Sequence, residues 1–228
     1  MSPPANAKKT PSTKPASRHT KRREATRQSL VDAAFTLMSE RGADAVNINE
    51  ITESADVGIG SFYNHFGTKD DLYNAVTDHV FEEFADALDR LTAGIEDTAE
   101  AVSVCVRHAV LRARRDPKWG RFLVRESYSK PSLTRGLGAR LLRDIQRGIV
   151  GKRFKVEDVL MTHVAVGSTV LGAITAQQFD QAPQQSGLQL DDLPERTATM
   201  VLQILGLKAD QATRLARRPL PVVDEASP

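Results

Sequence analysis

The stretch Asn47–Leu72, N-I-N-E-I-T-E-S-A-D-V-G-I-G-S-F-Y-N-H-F-G-T-K-D-D-L, decides how the chain is read. It divides into a short helix, a tight turn, a second short helix and the capped start of a longer one. Asn47 stands where a helix N-cap belongs, and Glu50 completes a capping box. Thr68 with Asp71 repeats the device. Ala55-Asp56-Val57-Gly58 forms the turn, and Ile59 to Phe66 the second helix. Phe62 and Phe66 lie four apart, share a face and bury together. Ile59, Gly60, Ser61, Tyr63, Asn64 and His65 are left to face outward or sideways. An ordinary core hairpin does not set Gly-Ser, Asn and His on consecutive turns. A helix that presses its outer face against something does, and a DNA major groove admits an α-helix.

Working outward, Leu30, Ala34, Leu37 and Met38 recur at helical spacing and predict a first helix from about Glu24 to Arg41, with Gly42 as its C-terminal stop. Beyond Thr68, Leu72, Val76, Val80, Phe84, Leu88 and Leu91 make one apolar stripe and predict a single helix to about Leu91. Further helices are expected over 98–115, from Asp116-Pro117 (an N-cap followed by proline) to about Tyr128, over 132–150, 156–181, 194–205 and 209–217. A loop is expected over 183–188. No stretch alternates like a strand. The expectation is an all-α chain of about nine or ten helices. A basic disordered tail (1–20) precedes a three-helix DNA-binding domain with a helix-turn-helix (21–70). A larger helical effector-binding and dimerisation domain follows (71–218), then a flexible C-terminus (219–228).

The 228 residues carry 40% hydrophobic and 5% aromatic residues, enough for a helix-on-helix core. Cys105 is the single cysteine, so no intramolecular disulfide forms, which fits a reducing cytoplasm. The apolar run Val164–Ala176 falls short of the ~20 residues of a membrane span, and no signal-peptide core follows the basic N-terminus. The five histidines (19, 65, 79, 108 and 163) lack metal-site spacing, and no nucleophile elbow is present, so neither metal, cofactor nor enzyme activity is expected. The net charge of +2 hides segregation: +7 over residues 1–27, −13 over 28–106, +12 over 107–155 and −4 over 156–228. Two readings of the +12 segment stand. It pairs with the acidic face of Asp78, Glu82, Glu83, Asp86 and Asp89, or Arg112, Arg121 or Arg125 meets an anionic effector. The pairing is preferred, since helical Lys and Arg are usually solvated faces.

The pattern from Thr26 to Leu72 resembles the N-terminal domain of TetR-family transcriptional regulators. The residues that carry it are Arg27, Ala33-Ala34, Gly42, Ile51, Ala55, Val57, Phe62-Tyr63, His65-Phe66, Lys69 and Leu72. The resemblance implies backbone contacts to DNA from Tyr63, His65 and Lys69 and from the first turn of helix 2 around Asn47. Gly58, Ile59, Gly60, Ser61 and Asn64 are the candidates for base edges, because asparagine can pair with adenine through two hydrogen bonds. Two positions depart from the usual pattern. Asp56 replaces the usual turn glycine, and Gly58 replaces a Ser or Thr cap, so a contact from Gly58 is backbone only. From Asp32 to Asp71 the only bases are Arg41 and Lys69. Phosphate neutralisation therefore falls to Lys8, Lys9, Lys14, Arg18, Lys21, Arg22, Arg23 and Arg27.

By the same resemblance, the last two long helices pair with those of a second copy. Gly167, Leu171 and Ile174 on one helix and Ala198, Val201, Leu202 and Leu205 on the other are the expected dimer residues. An effector cavity is expected among His108, Leu111, Trp119, Phe122, Leu123, Val166 and Val170, with Met161 and Phe179 as further walls. The expected function is a homodimeric regulator, a repressor rather than an activator, whose operator DNA is released by a small-molecule effector. Regulation by a protein partner or by abundance is the main alternative. A helical enzyme with a vestigial helix-turn-helix is the other.

Overall fold

Capping residues set where the helices begin. In a computed structural model, residues 18–127, 136–178 and 189–222 are described, and among them no strand occurs. The elements are α1 (Arg18–Arg41), α2 (Ile48–Ser54), α3 (Ile59–Tyr63), α4 (Lys69–Thr77), a π-helical segment (Asp78–Glu82), α5 (Glu83–Thr92), α6 (Thr98–Arg115), α7 (Pro117–Glu126), α8 (Gly136–Val150), α9 (Val159–Gln178), α10 (Leu193–Ile204) and α11 (Ala209–Ala216). Both capping boxes form: Asn47 Oδ1 accepts from Glu50 N at 3.0 Å, and Thr68 Oγ1 from Asp71 N at 3.1 Å. Asp116 caps α7 by accepting from Trp119 N at 3.1 Å, with Pro117 in the first turn. Gly42 ends α1 at φ +87°, and Asp56 makes the helix-turn-helix turn at φ +53°. An aspartate tolerates that left-handed geometry at modest cost.

Several boundaries differ from expectation. α1 starts at Arg18, not Glu24. Residues 18–23 carry no apolar residue to mark a period, but neither Gly nor Pro interrupts them. Arg22 and Arg23 therefore join Arg27 on α1. Residues 1–17, with Lys8, Lys9 and Lys14, lie outside the described residues, as do Tyr128, Ser132, Phe179, the 183–188 loop and 223–228. α3 stops at Tyr63, and its last turn closes as His65 N and Phe66 N both donate to Phe62 O.

The expected single helix from Thr68 is broken in register by the π segment. One extra residue turns the apolar stripe, so Val80 and Phe81 are both buried and burial resumes at Ala85 and Leu88. The carbonyl of Val80 accepts from Trp119 Nε1 at 3.3 Å. α9 begins after Asp158, whose carboxylate accepts from Met161 N at 2.9 Å. By length and composition alone α9 passes as a membrane span, with 17% of that stretch buried in the protomer. The helix thus extends at both ends beyond the apolar run Val164–Ala176, on which the expectation of too short a span rested.

Two apolar clusters hold the chain together. One joins α1 to α4 with α7 and α9: Leu30, Met38, Ile51, Phe62, Leu72, Val76, Trp119, Phe122 and Ile174 are sealed from solvent. Helices α1 to α4 thus share their core with the helices that follow. Phe122 meets Phe35 and Phe81 at ring distances of 5.4 and 5.5 Å. The second cluster joins α6, α8, α9, α10 and α11 through Val102, Ile145, Val166, Val201 and Leu202. Between them the charges pair as the simpler reading has it. Arg140 bonds Glu82 at 2.6 Å, Asp89 at 2.9 Å and also Asp86, while Arg143 bonds Asp89 at 2.7 Å.

Candidate nucleic-acid interface and effector cavity

α3 is held by one residue and shows the rest. Phe62 is fully buried, whereas Ile59 and Tyr63 are 51% and 58% exposed. Gly58, Gly60 and Asn64 are exposed, and Ser61 and His65 half-buried. A Cβ placed on Gly58 or Gly60 would meet nothing within 4 Å. The protein's own packing therefore does not require glycine there; a surface approaching from outside would.

The flanks bring the expected set together. Asn47, Ile59, Tyr63 and Lys69 line one shallow groove between the start of α2 and α3. Lys69 Nζ donates to Asp44 O at 3.5 Å, a long bond that a phosphate can replace. The Asn47 side-chain oxygen accepts from Glu50 N in the α2 cap, and its amide nitrogen is left to donate to a ligand. On the other flank, the Arg23 guanidinium reaches Asn64 O at 3.5 Å, and Arg27 lies over the Phe66 ring at 5.1 Å. Arg22, Arg23 and Arg27 are exposed. Partial burial, then Arg23 and Arg27, push the His65 imidazole below its ordinary value, which favours a neutral ring near pH 7.

Only part of the expected effector set lines one cavity. A cavity of about 360 Å³ lies among α5, α6, α8 and α9 and the end of α7. Leu123, Val166 and Val170 line it, but His108, Leu111, Trp119 and Phe122 do not. His108 instead bonds Pro221 O at 2.9 Å, under the C-terminal segment. Trp119 and Phe122 belong to the core that joins α7 to α1–α4. Arg112, Arg121 and Arg125 are not among the lining residues either; Arg125 donates to Met38 O at 3.4 Å. Sequence reasoning missed Asp89, Cys105, Arg140, Asp144 and His163 as cavity walls. A polar residue interrupting an apolar helix, as His163 does in α9, was the available signal. Burial raises the Asp144 carboxyl above its usual range, pushes the Cys105 thiol up to about 12 and lowers the His163 imidazole. A thiol so raised is a weak nucleophile at neutral pH.

Most of the expected dimer residues are taken up within the protomer. Ile174, Ala198, Val201, Leu202 and Leu205 are fully buried within the protomer, and Gly167 and Leu171 line the cavity. Exposed on α9 are Leu160, Met161, Val164, Ser168 and Gly172, of which Val164 and Ser168 also stand at the cavity wall, and on α10 Met200. A helix apolar all round does not reveal from sequence which side its own protomer takes. Among the described residues no group of three or more His, Cys, Asp or Glu is placed to hold a metal ion.

Comparison with known proteins agrees with this architecture. The family described as "Tetracyclin repressor-like, C-terminal domain" matches residues 97–218, and "Bacterial regulatory proteins, tetR family" matches 30–76. An HTH-type transcriptional repressor of Mycobacterium tuberculosis, Rv3405c, is 41% identical over 58 residues, which is 25% of this chain and 31% of that one. The matched stretch thus spans under a third of that relative. The crystal structure of RolR in complex with resorcinol is 36% identical and superposes with a TM-score of 0.66, covering 89% of this chain and 98% of RolR. RolR without ligand is 34% identical at a TM-score of 0.68, covering 86% and 99%. With the C-terminal family matching more than half of its length, the helix-turn-helix in place, and RolR similar along nearly its whole chain, this protein belongs to the TetR family of bacterial regulatory proteins.

Proposed function

We propose that the chain is a cytoplasmic transcriptional repressor that binds operator DNA as a homodimer and leaves it when a small molecule fills the cavity. The observation that carries the DNA reading is α3 itself. It is anchored by Phe62 and exposes Ile59 and Tyr63, with open space at Gly58 and Gly60. In this reading Gly58 to Ser61 and Asn64 meet base edges. Asn47, Tyr63, His65 and Lys69 hold phosphates, and Arg22, Arg23 and Arg27 follow the flanking backbone. Each α3 alone reads few bases, so two copies are needed for a two-half-site operator. The outer face of α9, with Leu160 and Met161 65% and 58% exposed, supports pairing with a second copy rather than a solvated surface.

The effector reading is supported by the cavity's mostly apolar wall and by the resorcinol named in the RolR complex. Phe81, Asp89 and Arg140 line the cavity, and Arg140 also grips Glu82 in the π segment that continues α4. A ligand that moves Arg140 or α8 pulls on the helix that carries Lys69 at its other end. Tyr73 on α4 bonds Glu126 on α7, a second link between the halves. A coupling of ~1–3 kcal/mol is enough to change occupancy usefully. The test is a gel shift on the DNA upstream of the protein's own gene, with and without small aromatic compounds. Sequence-specific retardation, relieved by a compound that also raises the melting temperature, supports the proposal. Binding no tighter than to unrelated DNA at the same salt contradicts it.

A further inference from the structure

We infer that His163 is the polar anchor of the cavity, and that the effector is a neutral molecule with an apolar body and a hydroxyl group that bonds its imidazole. The inference rests on reading the cavity as the effector site. His163 sits on α9, is 7% exposed and lines the cavity among Val102, Val106, Ala109, Val166 and Leu171. Its Nδ1 is enclosed and has no hydrogen-bond partner among the described residues. A buried polar atom left unpaired is costly, and native proteins rarely leave one without a reason.

Charge selects the ligand class. Burial disfavours the imidazolium, so His163 offers a neutral ring. Arg140 is the only Lys or Arg among the described lining residues, and Glu82, Asp86 and Asp89 already engage it. An anion entering the cavity would also face Asp89 and Asp144. A cation gains little, because Arg140 and Arg143 match Asp89, and Arg143 bonds Asp144 at 3.1 Å. A hydroxyl both donates and accepts, so it satisfies either imidazole tautomer, and a turn about χ2 can present the ring to it from either edge. A carboxylate cannot do both.

The experiment measures binding of three probes to the full-length protein by calorimetry and thermal shift: resorcinol, 1,3-dimethoxybenzene and benzoate. Resorcinol is expected to bind, with the dimethyl ether and benzoate at least about tenfold weaker. His163→Leu is expected to weaken resorcinol about tenfold, and His163→Asn, which keeps a donor and an acceptor, to retain most of the affinity. Without ligand, His163→Leu should melt no lower than wild type, because it removes an unpaired polar atom. Ala109→Phe, which fills the cavity from α6, separates the two layers of argument. If Ala109→Phe abolishes resorcinol binding while His163→Leu leaves it intact, the anchor is overturned and the cavity reading stands. If Ala109→Phe has no effect on a ligand that binds, both fall. Equal binding of ether and diol, preference for benzoate, or no binding of resorcinol also overturns the inference.

Discussion

Replacing Gly60 separates folding from DNA recognition, because the structure assigns the two opposite signs. Gly60 lies inside α3, and a Cβ there meets nothing within 4 Å. Gly60→Ala removes backbone freedom from the unfolded chain at no packing cost. The gain is at most ~0.5–1 kcal/mol, since α3 is short. At roughly 2–4 °C per kcal/mol for a chain of this size, the melting temperature should rise by about 1–4 °C at fixed protein concentration. On DNA the same methyl group holds the helix away from the groove. Losing one close base contact costs about 1–3 kcal/mol, or roughly five- to 150-fold in affinity per half-site. Gly60→Leu should be worse on DNA with little further effect on stability. The assays are thermal denaturation and fluorescence anisotropy on upstream DNA at constant salt. Wild-type DNA affinity for Gly60→Leu would refute the reasoning, as would a parallel fall in stability and affinity, since that would place the side chain against the protein.

Arg22→Ala should lower DNA affinity and flatten its salt dependence by about 0.9 in log–log slope for each phosphate lost. Arg27→Ala should do the same and also cost ~0.5–1 kcal/mol of stability through the Phe66 ring beneath it; unchanged slopes would remove α1 from the interface. Leu160→Glu with Met161→Glu should give a folded monomer in sedimentation equilibrium with a sharply reduced operator affinity, and a persisting dimer would show that α9 does not form the contact. Asp97 accepts from Arg153 Nε at 2.7 Å, and that bond is the main reason its carboxyl is held below the ordinary 3.8. The unfolded chain therefore takes up this proton first as pH falls. The stabilisation is complete above the ordinary value and is lost as pH drops through the depressed one. Arg153→Met should accordingly bring acid unfolding to a higher pH in a circular-dichroism titration.

What the sequence disclosed and what it withheld follow from local signals. Asn47 with Glu50, Thr68 with Asp71, and Asp116-Pro117 announce their helices because a cap needs only its own next turn. Phe62 against Ile59 and Tyr63 was readable because one buried ring among small and polar neighbours has a clear phase. The π segment was not readable: its extra residue becomes visible only when Val80 and Phe81 are both found buried. Trp119 and Phe122 were assigned to the cavity on residue type alone, whereas distant partners, Val80 and Phe35, decide their place. α9 withheld most. Being apolar on every side, it left open which residues its own core claims (Ile174 and Val166) and which it offers outward (Leu160 and Met161).

Hydroxyl-radical footprinting of the upstream DNA tests most directly the claim that paired, exposed α3 helices read one duplex. The account predicts two protected half-sites on the same face of the DNA, about 34–36 Å or a multiple of that apart, both lost with Gly60→Leu. A single protected site, or two that persist in that variant, would contradict it.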